Sequence, residues 1–361
     1  MNDHDKTISI IVPTYREAAN IEPLVERIKR SMGNHSYEIV IIDDDSNDGI
    51  EDIVHTLSNH HDIKIHVRKG ERGLSSAVIH GFNRSRGQIL VVMDADLSHP
   101  PEKIPELIRP IILQTADFVI GSRFVKDGGA PHFNSFRKLN AWVSKILARP
   151  LTKVNDPMAG FFAFTRTLIL KDGLVLNPSG FKIGLELIIK TNPNKIMEVP
   201  IVFQERLHGE SKLSLKEQIK YLLHLRRLYE FKYKTLTEFI TFSVVGSSGM
   251  IIDMLCIYIT FGFLSIPYRI SRALGFICAL TSNFFLNRRF TFSLANKGKL
   301  SRQYTTFIVV CIFGFILNWS ISVYLFEHIS FFNIHYLFSA FMGILGGLLV
   351  NFLGSKLLAF K

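Results

Sequence analysis

The sequence predicts an α/β domain built on an open, mostly parallel sheet, followed by a membrane domain of four helices. Three observations predict it. Up to about Lys234, short β-branched runs alternate with amphipathic stretches of helical period, the pattern of a sheet covered by helices. Beyond Lys234 come four nearly uncharged apolar stretches of roughly 20 residues, each long enough to span a bilayer. Acidic clusters fall at the carboxyl ends of the predicted strands, where open α/β sheets hold their ligands. The boundaries that follow are 1–214 for the α/β domain, 215–235 for an amphipathic interfacial segment and 236–361 for the membrane domain, with spans at about 239–262, 268–287, 304–326 and 335–358.

Taken in order, Thr7 to Val12 reads as a first strand that delivers V-P-T-Y-R-E, Val12 to Glu17, to its end, and a helix follows from about Ala18 to Met32. Glu38 to Ile42 is a second strand ending in D-D-D-S-N-D-G, Asp43 to Gly49. Three adjacent acids are costly unless they are solvated, hydrogen-bonded or close to a cation. On such a loop Asp44 can hold a uracil or guanine N–H, a ribose hydroxyl, or water. Ile63 to Val67 is a third strand, and Gly73 to Arg86 a helix whose small residues permit close approach to the sheet or a ligand.

Ile89 to Met93 is the run of a buried parallel strand, and it sets Asp94-Ala95-Asp96 at its carboxyl end. Two carboxylates one residue apart can share a hard divalent cation with a diphosphate, the geometry a nucleotide-sugar donor needs. A D-x-D is also an ordinary turn before a Pro-started helix, so its neighbours decide. A helix Glu102 to Gln114 comes next, then a strand Phe118 to Gly121 that hands over Ser122 and Arg123. Val125 to Phe136 contains D-G-G-A-P, a loop able to close on a ligand, and Arg137 and Lys138 open the next helix. Asn155 to Phe164 turns into a buried strand; Gly180-Phe181-Lys182 starts a helix carrying Glu186; Ile196 to Phe203 is the last strand. It leads to Gln204 to Leu213, where Arg206, Ser211 and Lys212 form a candidate phosphate clamp. Glu217 to Tyr233 has an apolar and a basic face and reads as a helix lying on an anionic leaflet, the alternative being a linker helix packed on the α/β domain.

The chain has 361 residues, 47% of them hydrophobic, and a net charge of +11. Its basic residues border the spans: Arg226, Arg227, Lys232 and Lys234 before the first, and Arg288, Arg289, Lys297, Lys299 and Arg302 between the second and third. Glu327 to His335 has no Lys or Arg, so the positive-inside rule places both termini in the cytoplasm, with Arg269 and Arg272 opposing it. Met1 to Lys6 leads straight into a strand with no signal peptide, which also keeps the first domain cytoplasmic. Charge of this placement, with no recognisable binding module, argues against nucleic acid as a partner. Cys256, Cys278 and Cys311 fall inside apolar spans and read as core residues without metal or disulfide spacing. Asp253 within the first span is costly in lipid and is expected to face a partner or a cavity, with a structural hydrogen bond to Ser or Asn the favoured role. Asn283-Phe284 followed by Asn287, Arg288 and Phe292 recurs as Asn351-Phe352 followed by Ser355, Lys356 and Phe360, so the second and fourth spans end alike.

Together V-P-T-Y-x-E, D-D-D-S-N-D-G, G-L-S-S-A-V-I-H-G, M-D-A-D-L-S-H-P-P, G-S-R and H-G-E-S-K-L resemble the family 2 glycosyltransferases of GT-A fold, the Rossmann-like nucleotide-diphospho-sugar transferases, and most closely the polyprenol (dolichol) phosphate mannose synthases. F-S-V-V-G-S-S-G-M and N-F-F-L-N-R-R-F-T-F resemble a GtrA-type four-helix domain. The resemblance implies GDP-mannose as donor and a membrane polyprenyl phosphate as acceptor, with inversion. It implies donor contacts at Pro13, Tyr15, Glu17, Ile42, Asp44, Asp94, Ala95, Asp96 and Lys182, and Mg²⁺ or Mn²⁺ at Asp94 and Asp96 with Ser98 beside them. Arg123, Arg137, Arg206, Ser211 and Lys212 match positions expected to hold donor or lipid phosphates, with Asp96, Arg123 and Arg206 the catalytic set. Many relatives have a glutamine where this chain has Ser98, so the metal shell is expected to recruit a water or His99. A homo-oligomer is allowed. The competing readings are a UDP-glucose-dependent polyprenol phosphate glucosyltransferase and a lipid-linked sugar transport component.

Overall fold

The computed structural model describes residues 7–177, 182–204, 215–292 and 298–361. The chain forms two compact units, Met1–Lys232 and Tyr233–Lys361. The first is organised by a seven-stranded sheet of order β3-β2-β1-β4-β6-β5-β7, made of β1 (Ile8–Thr14), β2 (Tyr37–Asp43), β3 (Ile63–Val67), β4 (Ile89–Val92), β5 (Phe118–Ser122), β6 (Phe162–Thr165) and β7 (Ile196–Pro200). All pairings are parallel except those of β6, which runs antiparallel between β4 and β5. The mostly parallel α/β class predicted from sequence is therefore the observed one. Around it lie α1 (Ala18–Met32), α2 (Ile50–Leu57), α3 (Leu74–Arg84), α4 (Ile104–Ile112), α5 (Ser135–Ala148), α6 (Ile183–Thr191) and α7 (Leu215–Lys232). Of these, α2 is not predicted from sequence; it is eight residues long and buries only Ile50 and Val54.

Each element follows from its residues. β1, buried at all seven positions, is a run of Ile and Val with a core on both faces, which is why it lacks alternation. α4 buries Ile104, Leu107, Ile108 and Ile111, the spacing of a single helical stripe. α3 lies so close to β1 that a Cβ on Gly81 would come within 2.4 Å of Ile11 Cγ2, so glycine sets that approach. At the amino ends of the strands, Glu38 is a buried structural anchor. It accepts from Ser9 Oγ at 2.7 Å, from the Arg86 amide at 2.5 Å and from Arg86 Nε at 3.0 Å. Burial alone would raise the Glu38 carboxyl; the Arg86 amide, Ser9, Lys64 and the Arg86 charge together hold it below the usual range.

α7 belongs to the first unit. Its Tyr221 hydroxyl donates to Ser144 O at 2.9 Å, Tyr229 to Leu147 O at 2.8 Å and Lys232 Nζ to Leu151 O at 2.6 Å. Leu225 and Leu228 are buried, and His224 lies 3.9 Å from Glu186 of α6.

The second unit comprises α8 (Lys234–Ile257), α9 (Tyr268–Leu286), α10 (Leu300–His328), α11 (Ser330–Ile334) and α12 (Tyr336–Gly354). Among the described residues three helical stretches are long and apolar enough to cross a membrane, Lys234–Phe263, Leu300–His328 and Phe341–Ala359. α9 occupies the place of the expected span at 268–287 but is not one of the three. The echo read in the sequence has a structural counterpart. Both α9 and α12 run on into a π-helical turn, Asn287–Thr291 and Ser355–Ala359, and both turns end at a buried phenylalanine, Phe292 and Phe360, whose rings stack at 4.8 Å. Asn283 packs on Gly249 of α8 as Asn351 packs on Gly314 of α10. The helix starts are braced reciprocally: Arg288 Nε donates to Gln303 Oε1 at 2.9 Å, and Lys356 Nζ pairs with Glu238 Oε2 at 2.7 Å.

Candidate active site at the carboxyl ends of β1, β2 and β4

Because β1 pairs with β2 on one side and β4 on the other, the connection from β3 to β4 reverses direction across the sheet. Open α/β sheets hold ligands in the crevice at such a switch. The carboxyl ends of β1, β2 and β4, with the turns that follow them, carry V-P-T-Y-R-E, D-D-D-S-N-D-G and D-A-D-L-S-H, so the fold brings together three motifs separate in sequence.

After β1, Pro13 and Thr14 remain in the sheet, and Tyr15 carries the Arg72 guanidinium 4.6 Å above its ring. Glu17 accepts from Asn20 Nδ2 at 2.7 Å. After β2 the adjacent acids take different partners. Asp43 is structural, accepting from Thr14 Oγ1 at 2.9 Å and from the Ser46 amide at 2.8 Å. Asp44, next to Ile42 and Asp43 at the strand end, is 5% exposed. Its Oδ1 accepts from Arg68 Nε at 2.8 Å and from Arg68 Nη2, and its Oδ2 from the Gly73 amide at 2.8 Å. Arg68, itself 5% exposed, also donates to Ser76 Oγ at 3.0 Å and Gly73 O at 3.1 Å, tying β3, its loop and α3 to this acid. Arg68 is absent from the sequence-based set. It follows β3, whose I-K-I-H-V alternates apolar and polar residues, and stands beside Lys69, so nothing in the sequence singles it out; its partner is set by tertiary pairing.

After β4, Asp94 has a side chain 28% exposed while Asp96 is 6% exposed. Asp96 Oδ1 accepts from the Ser98 amide at 3.1 Å and from Ser98 Oγ at 2.6 Å, with Ser98 fully buried. Ser98, expected beside the metal, thus spends its hydroxyl on orienting Asp96. The Asp94 amide donates to His99 Nδ1 at 3.0 Å. Among the described residues no three His, Cys, Asp or Glu side chains converge as a metal cage. Two carboxylates with one partly open fit a hard divalent cation that takes its remaining ligands from a diphosphate and water.

Of the cationic residues, Arg123 forms a bidentate pair with Asp156, Nε to Oδ2 at 2.7 Å and Nη2 to Oδ1 at 2.8 Å, and its guanidinium packs against the rings of Phe124, Phe133 and Phe203 at 5.3 to 5.6 Å. The Asp156 loop is held by Glu198 of β7, which accepts from the Asn155 and Asp156 amides at 2.9 and 3.0 Å. Sequence reasoning saw N-D-P as a turn and missed Asp156 and Glu198, because neither carboxylate lies in a strand-end cluster. Arg137, half-buried in the first turn of α5, sits 5.6 Å from the same Phe133 ring. Lys182 precedes α6. Arg206, Ser211 and Lys212 lie outside the described residues.

Residues 9–173 match the model of glycosyl transferase family 2, and residues 241–360 that of the GtrA/DPMS transmembrane domain. A dolichol-phosphate mannosyltransferase of Pyrococcus furiosus is 37% identical over 93% of this chain and 94% of its own length. That of Saccharomyces cerevisiae is 41% identical over 65% of this chain and 92% of its own. A solved glucosyl-3-phosphoglycerate synthase from Mycobacterium tuberculosis, in complex with Mn²⁺, UDP and glucosyl-3-phosphoglycerate, is 19% identical with a TM-score of 0.48 over 63% of this chain and 80% of its own. Fold and site define a membrane-bound glycosyltransferase with a GT-A-like sheet. The chain belongs to glycosyl transferase family 2; its relatives are named dolichol-phosphate mannosyltransferases, and it carries a GtrA/DPMS transmembrane domain of its own.

Proposed function

We propose that this chain transfers mannose from GDP-mannose to a polyprenyl, dolichyl-type phosphate on the cytoplasmic leaflet with inversion, giving polyprenyl phosphate β-mannose. The observation that carries the reading is the Asp94-Ala95-Asp96 turn at the sheet's switch point, in a chain related over 93% of its length to a dolichol-phosphate mannosyltransferase. Asp44 faces the nucleoside end of the donor, Tyr15 and Glu17 line the β1 side, and Asp94 and Asp96 meet the diphosphate. Asp94 and Asp96 would hold a divalent cation, Mg²⁺ or Mn²⁺, whose charge would help neutralise the departing diphosphate.

The acceptor phosphate is already anionic at neutral pH, so its oxygen attacks the anomeric carbon without a general base. The bond from that carbon to the GDP oxygen breaks, and the electron pair leaves with GDP. The chain's own contribution is to hold two anions together. Arg123, fixed by Asp156 in a shelf of aromatic rings, and Arg137 at the start of α5 are the cationic groups on the β5 side of the site; Arg206, Ser211 and Lys212, outside the described residues, are further candidates for holding the lipid phosphate.

The first unit also carries an apolar face suited to the leaflet. On α5, Phe136, Leu139, Trp142, Val143 and Ile146 are exposed, and on α7, packed against it, Ile219, Leu222, Leu223 and Phe231. Exposed apolar side chains at helical spacing mark an interaction face, and their setting among Lys and Arg before a membrane helix favours an anionic bilayer. With α9 counted as a fourth span, the Lys and Arg bordering the spans favour the cytoplasmic side of the cell membrane for the catalytic unit and both termini. Membranes containing the chain, given labelled GDP-mannose or labelled UDP-glucose with a polyprenyl phosphate, test the reading. Label from GDP-mannose in the lipid extract is expected; label from UDP-glucose alone would refute it.

A further inference from the structure

We infer that His99 is a positioning residue that clasps the D-A-D turn in the shape that presents Asp94 and Asp96 to the donor, an inference that rests on reading this turn as the donor site. Between Asp94 and His99 the chain reverses tightly. Leu97, buried at 2% exposure, has φ +61, a left-handed conformation that a side chain of its size rarely adopts. A turn that contains such a residue persists only if its surroundings over-determine it. The surroundings here are Ser98 on Asp96 Oδ1, the Gln204 amide on Ser98 O at 3.0 Å, and His99 across the whole turn to the Asp94 amide.

The ring is built into place. His99 is 3% exposed, stacked on Phe161 with centroids 5.3 Å apart and planes at 16°, and met edge-on by Phe203 at 5.6 Å. Gly160 leaves it room: a Cβ there would lie 3.2 Å from His99 Cε1 and 3.7 Å from Asp94 Oδ2. Since Nδ1 accepts the Asp94 N–H, the ring proton resides on Nε2 and Nδ1 is not a metal donor. His99 therefore acts on Asp94 from behind, by fixing the main chain from which its carboxylate projects. Two properties are required together, a flat ring to fill the slot between Phe161 and Phe203 and an acceptor in the ring plane.

Two substitutions separate those properties. His99→Phe keeps a ring and removes the acceptor; His99→Asn returns an acceptor near the Nδ1 position and removes the ring. The full chain is reconstituted in lipid nanodiscs, hydrogen exchange is followed at the Asp94 amide without metal, and Mn²⁺ is titrated in the presence of GDP by electron paramagnetic resonance. The wild type is expected to protect the Asp94 amide. His99→Phe should speed its exchange and weaken Mn²⁺ by about tenfold or more, the usual loss when a group supporting a metal ligand is removed. His99→Asn should recover most of both, at the cost of a lower melting temperature. Wild-type exchange and Mn²⁺ affinity in His99→Phe would overturn the clasp, and so would a folded His99→Asn as impaired as His99→Phe. An unprotected Asp94 amide in the wild type refutes it even if His99→Phe fails to fold. A protected amide with no Mn²⁺-dependent GDP binding in the wild type would instead sink the donor-site reading and leave the clasp standing.

Discussion

Asp96 is buried and oriented by Ser98, and under the proposed function it holds a charge-neutralising cation together with the partly open Asp94. Asp96→Ala should lower turnover by at least about a hundredfold, because loss of such stabilisation costs several kcal/mol. Turnover near wild type in a steady-state assay would remove Asp96 from the metal site. Arg68 offers a second test. Its fork engages Asp44 and the Gly73 carbonyl in a geometry that an ammonium cannot reproduce, so Arg68→Lys should raise KM for GDP-mannose several-fold and leave the KM for lipid phosphate unchanged. A KM change for the lipid alone would contradict that assignment. At this scale the sequence was partly legible. The placement of Asp44, Asp94 and Asp96 at strand carboxyl ends was readable because each closely follows an apolar run in an α/β pattern. Arg68, Asp156 and the role of His99 were not, because each acts through a partner that only the folded sheet brings near.

Helix placement is decided by what each helix can approach. The Gly81 contact with Ile11 leaves no room for a methyl group, so Gly81→Ala should destabilise the first unit by about 1–3 kcal/mol, the range for overpacking a core, measurable as a lower denaturation midpoint. α7 gives a pH test. Burial first of all pushes the His224 imidazole below its ordinary value; Glu186 opposes this, and Arg227, Lys190 and Lys182 reinforce it. With the folded pKa below the unfolded one, about 6.5, the unfolded chain binds the proton first. Stability is therefore full above that pH and falls as pH drops below it. His224→Leu should flatten this acid-side slope in melts between about pH 6.5 and pH 5, and an unchanged slope would place the titration elsewhere. The strands were legible as apolar runs. The antiparallel insertion of β6 was not, since pairing between Ile89 and Thr165 is set by contacts far apart in sequence. The amphipathic helix before the membrane was legible as α7, but its packing on α5 depends on Ser144 and Leu147 carbonyls that no periodicity reveals.

For the molecule as a whole, the proposed chemistry matches the division of the chain: a water-soluble donor would bind at the carboxyl ends of β1, β2 and β4, and the proposed acceptor is a membrane lipid, in a chain that carries its own membrane unit. That membrane unit is a duplicated hairpin pinned by two reciprocal braces, of which Glu238 and Lys356 form the charged one, with side chains 13% and 26% exposed. Lys356→Glu should lower the melting temperature in detergent by leaving two like charges together, and the double reversal Glu238→Lys, Lys356→Glu should restore most of it. No recovery in the double variant would mean that the pair does not brace the unit. The duplication was visible in sequence because Asn, Phe and the basic residue recur in order, whereas the braces were not, since Glu238 and Gln303 fall before the repeated motif. The account's central claim is that the D-A-D turn binds the donor diphosphate through a divalent cation. Calorimetric titration of GDP into the full chain tests it directly, with Mn²⁺, with EDTA, and with Asp96→Asn. GDP should bind with Mn²⁺ and bind at least about tenfold more weakly with EDTA or in Asp96→Asn. Equal affinity under all three conditions would contradict the account.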